Sequence, residues 1–231
     1  MNAVHHSDFG TAMSGGATQR LTRLAKLAAI IADPINHFHP DHVTAFGLDQ
    51  DHLTALAKAN PIAKRLNAAL ARKIGVDRLD LGQCATGSDN MFDLVIAPPM
   101  QFRSFLLEVT AVRLQKAIRN CVLKADREKV RHLLGDTAYE TALREAPFFY
   151  TDLAAAIDTY SFDVSADSLM GEGAALTHSY MSSVDPGLAQ IFAWRLPADN
   201  LSDPVELSDS QRSSFAKLLA AKTPAKVRTP K

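Results

Sequence analysis

Gln101-Phe102-Arg103-Ser104-Phe105-Leu106-Leu107-Glu108-Val109-Thr110-Ala111-Val112-Arg113-Leu114 carries the strongest periodic signal in the chain. Phe102, Phe105, Leu106, Val109 and Val112 recur at the three- and four-residue steps of an α-helix, and Leu107, Leu114 and Ile118 widen the stripe. A helix apolar over most of its circumference belongs in the middle of a domain, where each face meets another element. Period-two alternation is almost absent from the chain, and Ala and Leu dominate over Val, Ile and Thr. The prediction is a mainly α protein: a single irregular helical domain of about eight to ten helices with few or no strands.

Towards the carboxy terminus, Lys124–Leu134 is amphipathic through Arg127, Val130, Leu133 and Leu134, and Gly135 is placed to stop it. Thr137-x-x-Glu140 then has the spacing of a capping box, opening a helix that runs to Pro147. Further helices are predicted at Thr151–Thr159, Ser168–Ser183 and Pro186–Trp194, with a last amphipathic one at Asp209–Lys222 through Phe215, Leu218 and Leu219. Towards the amino terminus, Thr18 opens a helix with Leu21, Leu24, Leu27, Ala28 and Ile31 on one face, closed by Asp33-Pro34. Short helical pieces follow at Asp51–Lys58 and Pro61–Ile74, with Pro61 suited to a first turn and Gly75 to a C-terminal cap. Residues 76–99 are the least regular, with Met91–Ile96 as the best candidate strand and a possible subdomain break. The helical domain is thus expected over 18–222, between a flexible tail at 1–17 and a flexible basic tail at 223–231.

The 231 residues are 47% hydrophobic and 22% charged, an ordinary balance for a globular protein. Lys and Arg number 25 against 25 Asp and Glu, so no general field favours nucleic acid or an anionic membrane. Cys84 and Cys121 have no metal-ligand spacing, which argues against a disulfide framework and suits a reducing compartment. Met1–Thr18 has no apolar run of signal-peptide type, and no stretch is long enough to insert into a membrane. The expectation is a soluble cytoplasmic protein.

His37-Phe38-His39-Pro40-Asp41-His42 matches H-x-H-x-D-H, the pattern by which metallo-β-lactamase-type hydrolases hold one or two metals. Imidazole nitrogens and a carboxylate are suitable zinc ligands, and a metal-bound hydroxide would be the nucleophile. That chemistry also needs distant ligands and a β-sandwich, whereas here a helix ending at Pro34 precedes the motif. The competing reading is a tight turn and helix start: Pro40 sets φ, Asp41 caps, and Phe38 and Phe46 pack inward.

Other candidates carry less. No basic neighbour lowers the Cys84 pKa, and Cys121 lies in an apolar stretch suited to the core. Gly171-Glu172-Gly173 lacks the preceding strand of a nucleotide loop and reads as a helix interruption. Arg113, Lys116, Arg119, Lys124, Arg127, Lys129 and Arg131 form a basic run interleaved with Asp126 and Glu128, which favours a solvated or partner-facing surface over an RNA site. Lys124–Leu134 and Thr137–Ala146 imitate a helix-turn-helix, but the second segment has Glu140 and Glu145 and only Arg144.

Residues 98–147 combine an apolar helix, Phe105–Leu114, with the run Ile118-Arg119-Asn120-Cys121-Val122-Leu123, a helix Arg127–Leu134, and Thr137–Ala146 before Pro147. This order resembles the SctK/YscK-like accessory proteins of the sorting platform of bacterial type III secretion injectisomes. Two outer segments extend the resemblance: Phe38-His39-Pro40-Asp41-His42-Val43, and Val184-Asp185-Pro186 leading to Trp194-Arg195-Leu196-Pro197. The segment Gly82–Asp93 and the basic tail have no counterpart in it. The resemblance implies a helical, non-enzymatic adaptor without cofactor or catalytic residues, peripheral at the cytoplasmic face of the inner membrane. It would join an SctQ-like pod protein to an SctD-like inner-membrane ring protein and indirectly help to place the SctL–SctN-like ATPase complex. Partner contacts are expected on the charged face of Arg113, Arg119, Arg127 and Arg131, and on Phe148-Phe149-Tyr150, for which core packing is the alternative.

Overall fold

The computed structural model describes residues 9–44, 60–75, 88–198 and 203–223, together with 47, 49, 51, 52 and 55. In chain order, α1 is Phe9–Ala32, α2 Pro34–His37, α3 Pro40–Thr44 and α4 Asn60–Ile74. After these come α5 (Asp89–Val95), α6 (Pro99–Arg113), α7 (Gln115–Asn120) and α8 (Lys124–Leu134). Next, α9 (Asp136–Glu140) passes through a π turn, Thr141–Glu145, into α10 (Ala146–Phe149). The last helices are α11 (Ala166–Val184), α12 (Pro186–Trp194) and α13 (Asp209–Lys222). Among the described residues no strand forms, so the protein is mainly α, as its periodicity predicts.

The helix that decides the fold is α6, and it is central. Phe105, Leu106, Val109 and Val112 are at most 2% exposed. Burying a side chain of that size stabilises by about 1.5–3 kcal/mol before chain entropy is counted. From Phe102 to Val112, α6 joins α1, α5, α11, α12 and α13 in the main apolar cluster. Its last turn opens a second cluster, where Ala111 and Leu114 meet Ile118, Val130, Leu134, Phe162 and Leu169.

Across α6 lies α11, which runs unbroken from Ala166 to Val184 through Gly171 and Gly173. The glycine-containing stretch is therefore a helix crossing, not an interruption. A Cβ on Gly173 would collide with the Leu106 carbonyl oxygen, so only glycine lets the two backbones approach this closely. Thr110 Oγ1 bridges them, accepting from Gly173 N at 3.1 Å and donating to Leu169 O at 3.2 Å.

The ends of several elements follow local rules. Ser208 caps α13 by accepting from Gln211 N at 3.2 Å, while Gln211 Oε1 accepts from Ser208 N at 3.0 Å, a complete capping box. Asp185 caps α12 by accepting from Leu188 N at 3.0 Å, and Pro186 follows in the first helical position, where its missing N–H costs nothing. Gly135, at φ +81°, ends α8 in a conformation that a side chain would strain.

Other expectations need correction. Met91–Ile96 is not a strand: Ser88 caps α5, and Met91, Phe92, Leu94 and Val95 are all buried. Their spacing puts one stripe on a short helix, which packs against α1, α12 and α13. The described half of 76–99 thus joins the two ends of the chain, and residues 76–87, with Cys84, lie outside the described residues. The predicted helix at Thr151–Thr159 shrinks to one 3-10 turn, Thr151–Leu153, because the next backbone groups bond elsewhere. Ala155 N donates to Arg113 O at 2.8 Å, and Asp158 O accepts from Asn120 Nδ2 at 3.0 Å. The box expected at Thr137–Glu140 does not form, since α9 opens at Asp136 directly after Gly135. Finally, α1 begins at Phe9 and not at Thr18, so half of the tail expected at 1–17 is helical. Adding a residue to an existing helix is far cheaper than nucleating one, which lets α1 extend through Gly15 and Gly16. Of the piece expected at Asp51–Lys58, only Asp51, His52 and Ala55 are described, and Phe46 and residues 224–231 also fall outside.

Candidate functional site

The hexapeptide His37–His42 is a helix–turn–helix corner. Pro34 starts α2, Phe38 N closes it by donating to Pro34 O at 2.9 Å, and Pro40 starts α3. Phe38 is buried, with its ring 5.1 Å from that of Trp194. His39 N donates to Trp194 O at 2.8 Å. His42 Nε2 donates to Leu196 O at 2.9 Å, and Asp41 Oδ2 accepts from Ala198 N at 3.3 Å. The corner is thus sewn to the segment Trp194–Ala198, more than 150 residues away in sequence.

These bonds bear on the metal alternative. A carbonyl oxygen can only accept, so Nε2 of His42 must carry its proton and has no lone pair to offer a metal. His39 Nδ1 lies 3.2 Å from the Asp41 carboxylate, while His37 is exposed at the end of α2. Among the described residues, no group of three or more His, Cys, Asp or Glu side chains could hold a metal ion. Nor do the described residues contain any strand from which a hydrolase sandwich could be built.

Beside the corner, Arg195 holds an unusual position. Its guanidinium donates to Leu94 O at 3.3 Å, Val95 O at 2.5 Å and Ala97 O at 2.7 Å, at the carboxy end of α5. Carbonyls at the carboxy end of a helix form the negative end of its dipole, and a cation there stabilises the last turn. The guanidinium also stacks over Phe102, 4.1 Å from the ring centroid. Burial lowers Arg195 to about 10, so it stays charged at neutral pH. Sequence reasoning missed this clamp because its acceptors are backbone oxygens about a hundred residues away, which leave no mark in side-chain spacing.

Two hollows, of about 570 and 440 Å³, flank Arg195 and share Asn36, His37 and Pro99 as walls. The larger adds Phe38, His39, Pro40, Met100, Arg103, Asp167 and Leu196, and the smaller adds Lys26, Ile30, Ile96 and Pro98. Arg103 pairs with Asp167 across the larger hollow.

The arginines expected on one partner-facing surface are differently engaged. Arg113 is half-buried and bonds Glu172 at 2.8 Å, Arg131 pairs with Asp136, and Arg127 donates to Cys121 O at 2.8 Å. Arg119 is exposed in the last turn of α7. The aromatic cluster splits: Phe148 and Phe149 are 77% and 67% exposed, while Tyr150 is buried at 6%. Cys121 donates to Ala117 O at 3.4 Å, and burial raises its thiol pKa, which suits packing rather than reactivity. No helix of the described chain is long and apolar enough to cross a membrane. Comparison with protein-family models, curated proteins and solved structures finds no match for this chain.

Proposed function

We propose that this chain is a non-enzymatic adaptor of the SctK/YscK-like type, working in the sorting platform of a bacterial type III secretion injectisome. In that role it links an SctQ-like pod protein to an SctD-like inner-membrane ring protein, and through the pod helps to place an SctL–SctN-like ATPase complex. The work is done by binding, at the cytoplasmic face of the membrane, with no cofactor.

One observation supports this reading above the others. The three stretches that resemble the family lie far apart in sequence and meet in space. Phe38–His42 packs and hydrogen-bonds to Trp194–Leu196. Arg195 then reaches Phe102, in the opening turns of the central stretch. Segments that share one structural junction are expected to persist together, which a chance likeness of three scattered pieces would not require. The mainly α fold is compatible with the same role.

Co-purification tests it. The tagged chain, expressed with the pod and ring proteins of its own secretion apparatus, is expected to retain both under gentle conditions. Absence of both partners, with the chain folded, would sink the proposal.

A further inference from the structure

We infer that the groove flanking Arg195 is a docking site for an acidic, apolar peptide segment of a partner protein. Charge complementarity carries the argument. The smaller hollow has Lys26, His37 and Arg195 as its polar cationic or titratable walls, and no carboxylate. The larger adds Arg103 and Asp167, which neutralise each other. Three permanent cations thus face one carboxylate, in a chain whose basic and acidic residues balance overall at 25 each.

Arg195 sharpens the point. Among the described residues it has no carboxylate partner, only carbonyl dipoles and a ring face. A guanidinium has five N–H donors, of which these bonds engage three, and the residue lines both hollows. Lys26 is exposed with no carboxylate within ion-pair distance among the described residues, and His37 is exposed beside it in the same hollow. A carboxylate entering here meets pre-placed donors in partly desolvated surroundings, where a charged hydrogen bond counts for more than in water.

The rest of the lining selects a peptide over a small anion. Ile30, Ile96 and Pro98 wall one side of Arg195, and Phe38, Met100 and Leu106 the other. Met100 is 78% exposed, a flexible apolar side chain of the kind that adapts to peptide ligands. A phosphate has no use for these surfaces. An extended segment fits, because successive side chains can enter the two hollows while an acidic residue meets the cations between them. The inference does not depend on the secretion reading, since it concerns the chemistry of the occupant and not its identity.

An array of fluorescein-labelled peptides, combining Glu or Asp with Leu, Ile and Phe in every order, tests it by anisotropy on the full chain. Trp194, the single tryptophan, stacks on Phe38 at the groove wall and gives a second readout. At least one acidic–apolar arrangement is expected to bind saturably, and more weakly at high salt. Its Gln/Asn counterpart, and binding to Lys26→Glu, should both be weaker by about tenfold. Lys217→Glu, an exposed change on α13, should leave binding as it was. The inference fails if no arrangement binds, or if binding survives both amide replacement and Lys26→Glu. It fails equally if inorganic phosphate alone displaces the peptide and reproduces the Trp194 response, which would mark a small-anion site.

Discussion

Gly173 of α11 sits against the carbonyl oxygen of Leu106 in α6, with no space between them for a side chain. A Cβ there would also stand 2.7 Å from Thr110 Oγ1 and 2.9 Å from Thr110 N. The obstacle is the backbone of the central helix, which cannot yield as the tip of a flexible side chain would. In an unhindered helix interior, Gly to Ala gains about 1 kcal/mol. Overpacking costs about 1–3 kcal/mol, and a backbone oxygen in direct collision with the new carbon puts this site at the upper end, so the steric effect wins here. Gly173→Ala is expected to lower the free energy of unfolding by about 1–2 kcal/mol net, read from the urea midpoint. A midpoint at or above that of the native chain would mean that the two helices can part without loss.

Phe148 and Phe149 point outwards while Tyr150 points in, which separates a surface role from a core role within three residues. Phe148→Ser with Phe149→Ser should change stability by no more than about 0.5 kcal/mol, as exposed substitutions do. Tyr150→Ala empties a buried ring site and should cost about 3 kcal/mol. If the adaptor reading holds, the double change also weakens retention of the pod or ring protein. A large loss of stability from the double change would show that the pair is packed and not presented.

How legible these features were depended on whether the information was local. α13 was readable to the residue, since Ser208 and Gln211 form a local box and Phe215, Leu218 and Leu219 make one stripe. Gly135 likewise announced the end of α8. Met91–Ile96 misled because a short apolar run fits a buried strand and a buried helix equally, and the deciding cap, Ser88, lies before it. Thr151–Thr159 misled because its backbone is held by Arg113 and Asn120, distant in sequence. The same limit hid the groove. His37 was conspicuous, but the contact between its corner and Trp194–Ala198 exists only in three dimensions. The role of Arg195 rests on carbonyls, which every residue possesses.

His178 on α11 has its Nδ1 enclosed without a hydrogen-bond partner among the described residues, and burial holds its imidazole below the ordinary 6.5. The fold therefore resists protonation that the unfolded chain accepts. Its contribution to stability is fully present above pH 6.5 and is lost as pH falls below that value towards the depressed folded one. His178→Met removes both the orphaned nitrogen and the titration. The variant should equal or exceed the native chain at neutral pH, by up to about 1 kcal/mol. Its advantage should grow as pH falls below 6.5. Parallel stability–pH curves for the two proteins would rule out His178 as the responsible group.

Lys222 ties the last turn of α13 to α6 and to the π turn. Its Nζ lies 3.2 Å from Glu108 Oε2, 2.8 Å from Glu145 Oε2 and 3.1 Å from Thr141 Oγ1. The side chains of Lys222 and Glu108 are only 14% and 10% exposed, so neither charge can turn to water if the other is removed. Breaking such a pair from one side costs about 3–5 kcal/mol when burial is complete, and the more exposed Glu145 reduces that here. Lys222→Met is expected to cost about 2–3 kcal/mol, and adding Glu108→Leu should restore more than half of it, because an apolar pair leaves no stranded charge. Burial works against the Lys222 charge, but hydrogen bonds to Glu145 and Glu108 outweigh it and hold the pKa above the ordinary 10.5. The native chain's advantage over Lys222→Met should therefore persist up to pH 10.5 and decline as pH rises through the higher folded value. Urea midpoints of the native, single and double variants across that range decide the matter. If the double variant is no more stable than the single one, the cost lies in lost packing by the lysine stem and not in the stranded carboxylate.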